Sequence, residues 1–271
     1  MCHPTNMEQP KTLLEQAYQQ SAHALRCGAL QSIATDYKFV EQGGVRFLVR
    51  ILTNLVRKEQ ANLQQKAKGK DFNPFLPYED DLFVANLSST HLCLLNKFNV
   101  VDHHLLIVTR EFEHQENWLN YNDFAALWTG LKEIDGLAFF NGGKTAGASQ
   151  THKHLQLIPM PLAPEGEAIP IEAILPYTAP DRPEHLAQLP FANGFMVLDL
   201  SPMMSPDEAA TLLWKSYCSL LKLLAISMNT EDTRASHPYN LLVTRRWMLL
   251  VPRKQEHTHS ISINSLGFAG S

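Results

Sequence analysis

The chain has 271 residues, of which 45 % are hydrophobic and 18 % are charged, which suffices for one large or two small domains with a buried core. Its formal net charge is −4, so the whole molecule has no general attraction for nucleic acid. Any anionic ligand must therefore be met by locally placed lysines and backbone N–H groups.

The N-terminal part of the chain contains one helical pattern followed by strand patterns. Apolar residues recur at helical spacing over residues 11–32. Gly43-Gly44 predicts a turn before the strand Val45–Leu52. Two further strands, at about His91–Lys97 and His104–Thr109, are joined by a short turn, which predicts an antiparallel hairpin.

The remainder of the chain alternates helices and strands around a segment rich in proline. Residues 159–190 contain eight prolines and predict a connection with little regular structure. Ser205-Pro-Asp-Glu208 is a capping box with Pro at the first helical position. The other predicted elements are a helix from Asn122 to Asp135, strands Leu137–Phe140 and Asn193–Leu200, a helix from Ser205 to about Met228, and strands Tyr239–Val243 and Trp247–Val251. This order indicates an α+β fold.

Polar side chains repeat at strand spacing in the stretch from Thr151 to Ile158, which has strand composition. Side chains on a strand alternate between its two faces, so His152, His154 and Gln156 are predicted to lie on one face, about 7 Å apart. Imidazole rings in such a row can act as nucleophiles toward phosphorus, or can bind a metal ion.

A loop with three glycines, Gly142, Gly143 and Gly147, directly precedes this row. Glycine lets backbone N–H groups approach an anion closely, although such a loop can also be only a turn. A phosphate-holding loop that leads into a row of imidazoles predicts a phosphoryl- or nucleotidyl-transfer site.

The sequence Gly147-Ala-Ser-Gln-Thr-His-Lys-His-Leu-Gln156 resembles the signature of the diadenosine tetraphosphate phosphorylases (ATP adenylyltransferases). These enzymes form a branch of the histidine-triad superfamily in which Gln replaces the third His. His91–Thr109 and Asn264–Gly270 are similar to two other blocks of the family, in the same order. The resemblance implies a histidine-triad-like central antiparallel sheet with flanking helices, plus a C-terminal α+β extension.

The same resemblance implies that the chain divides into three parts. Residues 1–160 would form a histidine-triad-like catalytic domain, 161–190 the Pro-rich connection, and 191–271 a C-terminal ATP-adenylyltransferase block that packs against the site. The hairpin that contains Lys97 and His104 would line the nucleoside pocket, and both side chains are candidate ligand contacts.

The resemblance also implies a reaction mechanism and a role for each residue of the motif. Diadenosine tetraphosphate would be cleaved by inorganic phosphate to ATP and ADP, with His154 carrying AMP as an adenylyl-histidine, His152 positioning it and Gln156 donating to a phosphate oxygen. Lys144 is either a phosphate contact or a solvated lysine. The complete set of predicted substrate contacts is Asn141, Lys144, Gly147, Ala148, Ser149, Gln150, Asn264, Ser265, Leu266 and Lys58.

Three alternatives remain open from the sequence. Hexose-1-phosphate uridylyltransferases share His-x-His-x-Gln, but often have Pro between the histidines and zinc-binding cysteines, whereas Lys153 intervenes here. A nucleotide-binding sensor without turnover would use the same pocket. A metal hydrolase would need ligands beyond His152 and His154, for which His103 and His104 are the nearby candidates.

Cysteine usage and the absence of targeting signals bear on location and cofactors. Cys2, Cys27, Cys93 and Cys218 are scattered without a Cys-x-x-Cys, which predicts free thiols in a reducing compartment. The sequence contains no signal peptide and no apolar run of membrane length, so a cytoplasmic protein is expected. No cofactor and no protein-bound metal are expected, although Mg²⁺ could accompany the polyphosphate.

Overall fold

An eight-stranded antiparallel sheet forms the centre of the computed structural model, which describes residues 11–52, 72–176, 182–228, 232–259 and 261–271. The strand order is β3-β4-β5-β7-β6-β9-β10-β8. These strands are β3 Phe83–Asn86, β4 His91–Leu95, β5 Leu105–Thr109, β6 Gly136–Asn141, β7 His154–Pro159, β8 Gly194–Val197, β9 Tyr239–Val243 and β10 Trp247–Pro252. Two separate two-stranded sheets lie outside it: β1 Thr35–Gln42 with β2 Val45–Leu52, and β11 His257–Thr258 with β12 Ile261–Ser262.

Capping residues begin each of the three longer helices. α1 (Leu13–Cys27) and α3 (Pro206–Leu223) start with capping boxes at Thr12 and Ser205, and α2 (Tyr121–Glu133) is capped by Asn120. α1 ends at Gly28, whose φ of +80° favours glycine, so this helix stops before the predicted residue 32. A short helix, α4 (Ser265–Ala269), lies near the C-terminus.

The three longer helices cover one face of the sheet. Side chains alternate along each strand, so Leu105, Ile107, Leu155 and Leu157 belong to the same apolar cluster as Trp128 of α2. The cluster also includes Leu13 and Ala17 of α1 and Leu213, Tyr217 and Leu220 of α3. This face is therefore the main core.

The opposite face is covered by largely irregular chain, with contributions from β2 and α4. One apolar cluster there joins Phe139, Ile158 and Leu249 of the sheet to Leu162, Ile169 and Leu186 from the Pro-rich segment. A second, smaller cluster joins Leu92, Leu106 and Val108 to Phe75. In its described part, the segment predicted as a connection has a 3₁₀ turn at Pro170–Ile174 and contributes to the core.

Polar side chains occupy this second face where the two smaller clusters meet. His154 and Gln156 alternate with Leu155 and Leu157, so they lie on the face opposite the helices. The His154 ring contacts Phe75 of one cluster at 5.3 Å, and the His104 ring contacts Phe139 of the other at 5.8 Å between ring centroids. The fold therefore places the predicted site between two apolar walls.

The predicted α+β class with a central antiparallel sheet is confirmed, as is the hairpin, in which His91 pairs with Thr109 and Leu95 with Leu105. The strand predicted from Thr151 begins only at His154 in the central sheet, because His152 forms an isolated antiparallel bridge with His114 instead, through the bonds from Lys153 N to Glu113 O and from Gln115 N to Thr151 O. β1 was not predicted, since its core contact is slight and its residues are mostly exposed.

Strands from both sides of the Pro-rich segment join the same sheet. β6, before the segment, pairs with β9, after it, and Asn141 lies opposite Asn240. The predicted division at residues 161–190 therefore marks no break in the sheet. In the part of the chain that the structure describes, no helix has the length and apolar character needed to cross a bilayer.

Candidate active site

His154 is the first residue of β7, and its side chain is almost fully buried. Its Nδ1 donates a hydrogen bond to the backbone oxygen of His152 at 2.9 Å. A neutral imidazole that is protonated at Nδ1 carries its lone pair on Nε2. The hydrogen bond therefore prepares Nε2 for attack on an electrophile.

The surroundings keep the His154 ring uncharged. Burial lowers its pKa to about 4; the hydrogen bond to the His152 carbonyl opposes this shift, and the charge of a protonated His152 adds to it. At neutral pH the ring is thus deprotonated at Nε2, and proton uptake does not compete with nucleophilic attack.

The His152 side chain is engaged by other residues. Its Nε2 lies 2.9 Å from both the hydroxyl and the backbone oxygen of Thr109, and its Nδ1 lies 2.9 Å from Nδ2 of Asn73. Phe75 and Phe112 pack edge-on against the ring. His152 therefore contacts His154 through its backbone carbonyl, while its ring fastens the segment before β7 to β5.

Gln156 lies two residues beyond His154 and is held by His104. The distance from His104 Nε2 to Gln156 Oε1 is 2.8 Å, and Asn96 Nδ2 lies 3.3 Å from His104 Nδ1. Burial lowers the pKa of His104 to about 4, so this ring is also neutral and can donate from Nε2. Because Oε1 of Gln156 accepts this bond, the amide N–H groups remain for another acceptor.

Gln115, which the sequence did not single out, joins the strands at the site. Its Oε1 accepts a hydrogen bond from His154 N at 2.8 Å. Its Nε2 donates to the backbone oxygens of His154, at 3.0 Å, and Asn141, at 2.9 Å. One buried amide thus fixes the ends of β6 and β7 relative to each other.

Lys153, between the two histidines, points to the helical face and is fully buried. Its Nζ lies 2.6 Å from Asp123 Oδ2, 3.0 Å from Glu113 Oε2 and 3.0 Å from the backbone oxygen of Trp118. His91 adds a hydrogen bond to Asp123. Burial raises the pKa of Asp123, but the bond from His91 and the charge of Lys153 outweigh it, and the net shift is downward. This buried network anchors the backbone between His152 and His154.

The glycine-rich loop folds into a 3₁₀ turn at Lys144–Ala146. The N–H groups of Ala146 and Ala148 donate to Gly143 O, at 3.0 and 3.1 Å, and that of Gly147 donates to Lys144 O at 2.8 Å. Gly147 and Ala148 are predicted substrate contacts, but their N–H groups stabilise the loop itself.

The C-terminal block reaches the site through Asn141. Oδ1 of Asn141 accepts hydrogen bonds from Ser265 N, Ser265 Oγ and Asn240 Nδ2, at 3.0, 2.7 and 2.7 Å. Asn240 also donates to Ala146 O at 2.9 Å, and Arg253 Nη1 donates to Asn240 Oδ1 at 2.6 Å. Because Oδ1 of Asn141 is saturated, a ligand can be bound only through its amide nitrogen.

The other predicted contacts differ in exposure. Lys144 and Ser149 are exposed, whereas Ala148 and Gln150 are half-buried. Asn264 caps α4 by accepting from Leu266 N at 3.0 Å, and Leu266 belongs to an apolar cluster. Of the two hairpin candidates, His104 faces the site, whereas Lys97 forms an ion pair with Glu79 at 2.6 Å. Lys58 lies outside the described residues.

A metal centre on the two site histidines does not fit this geometry. Nδ1 of His154 donates to a carbonyl, and both ring nitrogens of His152 have protein partners. Of the candidate further ligands, His104 bonds to Gln156, and His103 bonds to Ser21 on α1.

Comparison with protein families identifies the family to which this chain belongs. Residues 3–177 match the family model of the Ap4A phosphorylase N-terminal domain, and residues 187–271 match that of the ATP adenylyltransferase C-terminal domain. The first match alone covers more than half of the chain. This chain belongs to the Ap4A phosphorylase family.

Individual relatives agree with this membership. The chain is 29 % identical over 254 residues to diadenosine 5',5'''-P1,P4-tetraphosphate phosphorylase 2 of Saccharomyces cerevisiae. The aligned region covers 84 % of this chain and 76 % of that protein. The crystal structure of yeast Ap4A phosphorylase Apa2 superposes with a TM-score of 0.75 at 25 % identity, covering 96 % of this chain and 86 % of that one. Apa2 in complex with Ap4A shares the fold with a TM-score of 0.73 at 24 % identity, over 96 % and 88 % of the two chains.

The residues that sequence reasoning missed are those that orient the Ap4A phosphorylase signature. Gln115, Asn73 and Arg253 lie outside the predicted elements, and Thr109 and Asn240 lie in predicted strands but had no predicted role at the site. They are far from the signature in sequence, so only the register of the sheet brings them to it. His104 was the exception, because the predicted hairpin had already made it a candidate ligand contact.

Proposed function

We propose that this chain cleaves Ap4A with inorganic phosphate, releasing ATP and ADP through an adenylyl-histidine at His154. The observation that supports this most directly is the neutral, buried imidazole whose Nδ1–H is bound by the His152 carbonyl. In a member of the Ap4A phosphorylase family, that arrangement sets Nε2 as the nucleophile.

The reaction has two in-line displacements. Nε2 of His154 attacks the α-phosphorus of one adenylate unit, the bond from that phosphorus to its bridging oxygen breaks, and ATP leaves. An oxygen of inorganic phosphate then attacks the same phosphorus, the P–N bond breaks, and ADP leaves while His154 regains its lone pair. Two inversions give overall retention of configuration at phosphorus.

Stabilisation of the developing negative charge is assigned to the amide of Gln156 and to the loop. Transfer at phosphorus depends mainly on positioning and on electrostatic stabilisation. His104 holds Oε1 of Gln156, so its N–H groups can reach a non-bridging oxygen. Ser149, Gln150 and Lys144 would meet the flanking phosphates, and the Asn141 amide would meet the ribose or a phosphate.

No resident cofactor or metal enters this proposal. Mg²⁺ would arrive with the polyphosphate as part of the substrate. The chain's three described cysteines, Cys27, Cys93 and Cys218, are free thiols, which fits the reducing cytoplasm that the sequence predicted.

The identity of the acceptor tests the proposal. Purified protein is incubated with Ap4A with and without inorganic phosphate, and the products are separated by ion-exchange chromatography. We expect ATP and ADP in equal amounts, and turnover that requires phosphate. Equal consumption of Ap4A without phosphate, giving AMP and ATP, would show a hydrolase. Binding without either reaction would show a nucleotide sensor.

A further inference from the structure

A group of three metal-binding side chains lies on the exposed surface of α1, among residues that the reaction at His154 does not use. His23 and Cys27 are on α1, and Asp81 is in the 3₁₀ turn Asp80–Leu82 before β3. One ligand atom from each, His Nδ1 or Nε2, Cys Sγ and a carboxylate oxygen, all lie within 4.8 Å of one another. Among the described residues, no other group of three His, Cys, Asp or Glu side chains meets this distance.

The helix places two of these ligands on one face. Residues four apart are neighbours on a helical surface, so the imidazole of His23 and the thiol of Cys27 project in the same direction. Cys27 Sγ lies 3.9 Å from His23 Nε2, which in turn lies 2.7 Å from Asp81 Oδ1. The three atoms thus surround a common point at the surface.

The backbone under the third ligand is held in place. Gln20, one turn before His23, donates from Nε2 to the backbone oxygen of Asp81 at 2.6 Å. Leu82, the next residue, is buried in the same cluster as Ala17 and Ala24 of α1. The carboxylate of Asp81 is therefore presented to α1 by buried packing, and only side-chain torsions need to change to bind an ion.

The ligand atoms suit zinc and similar late divalent ions. Zn–N and Zn–O bonds of about 2.0–2.2 Å and a Zn–S bond of about 2.3 Å separate tetrahedral ligand atoms by about 3.3–3.6 Å. His23 Nε2 lies 2.7 Å from Asp81 Oδ1 and 3.9 Å from Cys27 Sγ, and these distances bracket the range. The side chains of His23 and Asp81 are about half exposed and free to adjust. A nitrogen and a sulfur ligand disfavour Mg²⁺ and Ca²⁺, which prefer oxygen.

We propose that His23, Cys27 and Asp81 form a zinc site that joins α1 to the turn before β3, with water as the fourth ligand. On binding, the thiol loses its proton to solvent, and His23 adopts the tautomer with the proton on Nδ1. The thiolate and the carboxylate then balance the charge of the ion. The site is separate from the chemistry at His154 and stands whether or not Ap4A is the substrate.

Co²⁺ titration followed by absorption spectroscopy tests the site, because a thiolate ligand produces a charge-transfer band in the near ultraviolet. The untagged protein should show this band, saturate at one ion per chain, and lose the ion to Zn²⁺. Cys27→Ser should abolish the band. Cys2→Ser is the matched control, because Cys2 is followed by His3 in the sequence and this pair offers another thiol and imidazole to a metal ion. The Cys2→Ser variant should show the band unchanged.

Thermal unfolding supplies a second measurement. At a Zn²⁺ concentration about a hundredfold above the dissociation constant, the wild-type melting temperature should rise by about 5 °C, and that of Cys27→Ser should not. Mg²⁺ should have no effect. The proposal is wrong if the Co²⁺ band persists in Cys27→Ser, disappears in Cys2→Ser or never forms, or if Zn²⁺ leaves the wild-type melting temperature unchanged. Should Cys27→Ser fail to fold, His23→Gln provides the same test at another exposed position.

Discussion

At the residue scale, the site depends on which nitrogen of each histidine carries the proton. His154 donates from Nδ1 to a carbonyl and keeps its lone pair on Nε2, whereas His104 donates from Nε2 to Gln156 and accepts at Nδ1 from Asn96. Burial lowers the pKa of both rings to about 4. Two neutral histidines of opposite tautomer therefore have different roles, His154 as the proposed nucleophile and His104 as a support for the amide of Gln156.

The assignment of the nucleophile predicts where substrate-derived label is trapped. Protein incubated with Ap4A labelled at the α-phosphorus, without inorganic phosphate, and quenched in alkali should retain label as an acid-labile phosphoramidate. His154→Ala should retain none, because no other ring is set to attack, yet it should bind nucleotide within about tenfold of wild type, a difference of about 1.4 kcal/mol.

His152→Ala is the control for this experiment. Its ring is bound to Thr109 and Asn73, and its contact with His154 runs through the backbone. This variant should therefore still acquire label, although more slowly. Label that persists on His154→Ala, or its complete loss from His152→Ala alone, would reverse the two roles.

At the scale of elements, the glycine-rich loop and the start of α4 are fitted against each other. Gly147 has a φ of +87°, and a Cβ added there would lie 2.8 Å from Cβ of Asn264. Asn264 caps α4, and the next residue, Ser265, binds Asn141. The loop can therefore take its conformation only with glycine at this point, and its position depends on the C-terminal block.

Gly147→Ala should consequently impair catalysis as well as stability. A non-glycine residue in the left-handed region costs about 1–2 kcal/mol, and overpacking against Asn264 adds about 1–3 kcal/mol. Moving the loop or Asn264 also displaces the groups expected to hold phosphate. We expect kcat/KM for Ap4A to fall at least tenfold, measured by product formation at a temperature where the variant is folded.

Gly28→Ala is the matched control for the backbone effect. Gly28 ends α1 with a similar φ of +80°, and an added Cβ there meets no atom within 4 Å. It should lose about 1–2 kcal/mol of the free energy of unfolding while keeping wild-type turnover. Unimpaired turnover by Gly147→Ala would show that the fit between the loop and α4 does not position the site.

At the scale of the whole molecule, one sheet has the three longer helices on one face, and largely irregular chain, β2, α4 and the site on the other. Strands from both family domains contribute, since β6 pairs with β9. Placing neutral histidines in this interior makes the stability of the fold sensitive to acid. An unfolded chain binds protons at histidine near pH 6.5, whereas buried His104 and His154 do so only near pH 4.

The free energy of unfolding should therefore fall as the pH is lowered from 6.5 to 4. In this window the unfolded state binds more protons, so protonation favours unfolding, and each of the two sites contributes up to about 1.4 kcal/mol per pH unit. His152 and His103, whose pKa values burial also lowers, add to the same slope. Urea denaturation at several pH values measures it.

Removing one titrating ring checks the origin of this slope. His104→Asn eliminates one of the two strongly shifted histidines, so its free energy of unfolding should depend less steeply on pH between 6.5 and 4, by up to about 1.4 kcal/mol per pH unit. An unchanged slope would mean that other groups cause the acid sensitivity.

The sequence by itself determined several local elements and placed the candidate reacting residues in one motif. The start of α3 followed from the capping box at Ser205, which acts within one turn, α1 followed from apolar residues at helical spacing, and the hairpin of β4 and β5 followed from adjacent strand patterns. The motif around His154 and Gln156 was likewise recognisable, because its residues are contiguous and their side-chain types are those that transfer at phosphorus needs.

Only the tertiary structure decided how these residues are oriented and supported. Gln115, Asn240 and Thr109 reach the motif through strand register, which depends on pairing between distant segments. The tautomer of His154 is also set by the tertiary structure. So are the hydrogen bonds by which N–H groups of the glycine-rich loop stabilise the loop itself. Hydrogen bonds and burial depend on three-dimensional neighbours, and these neighbours exist only once the sheet has formed.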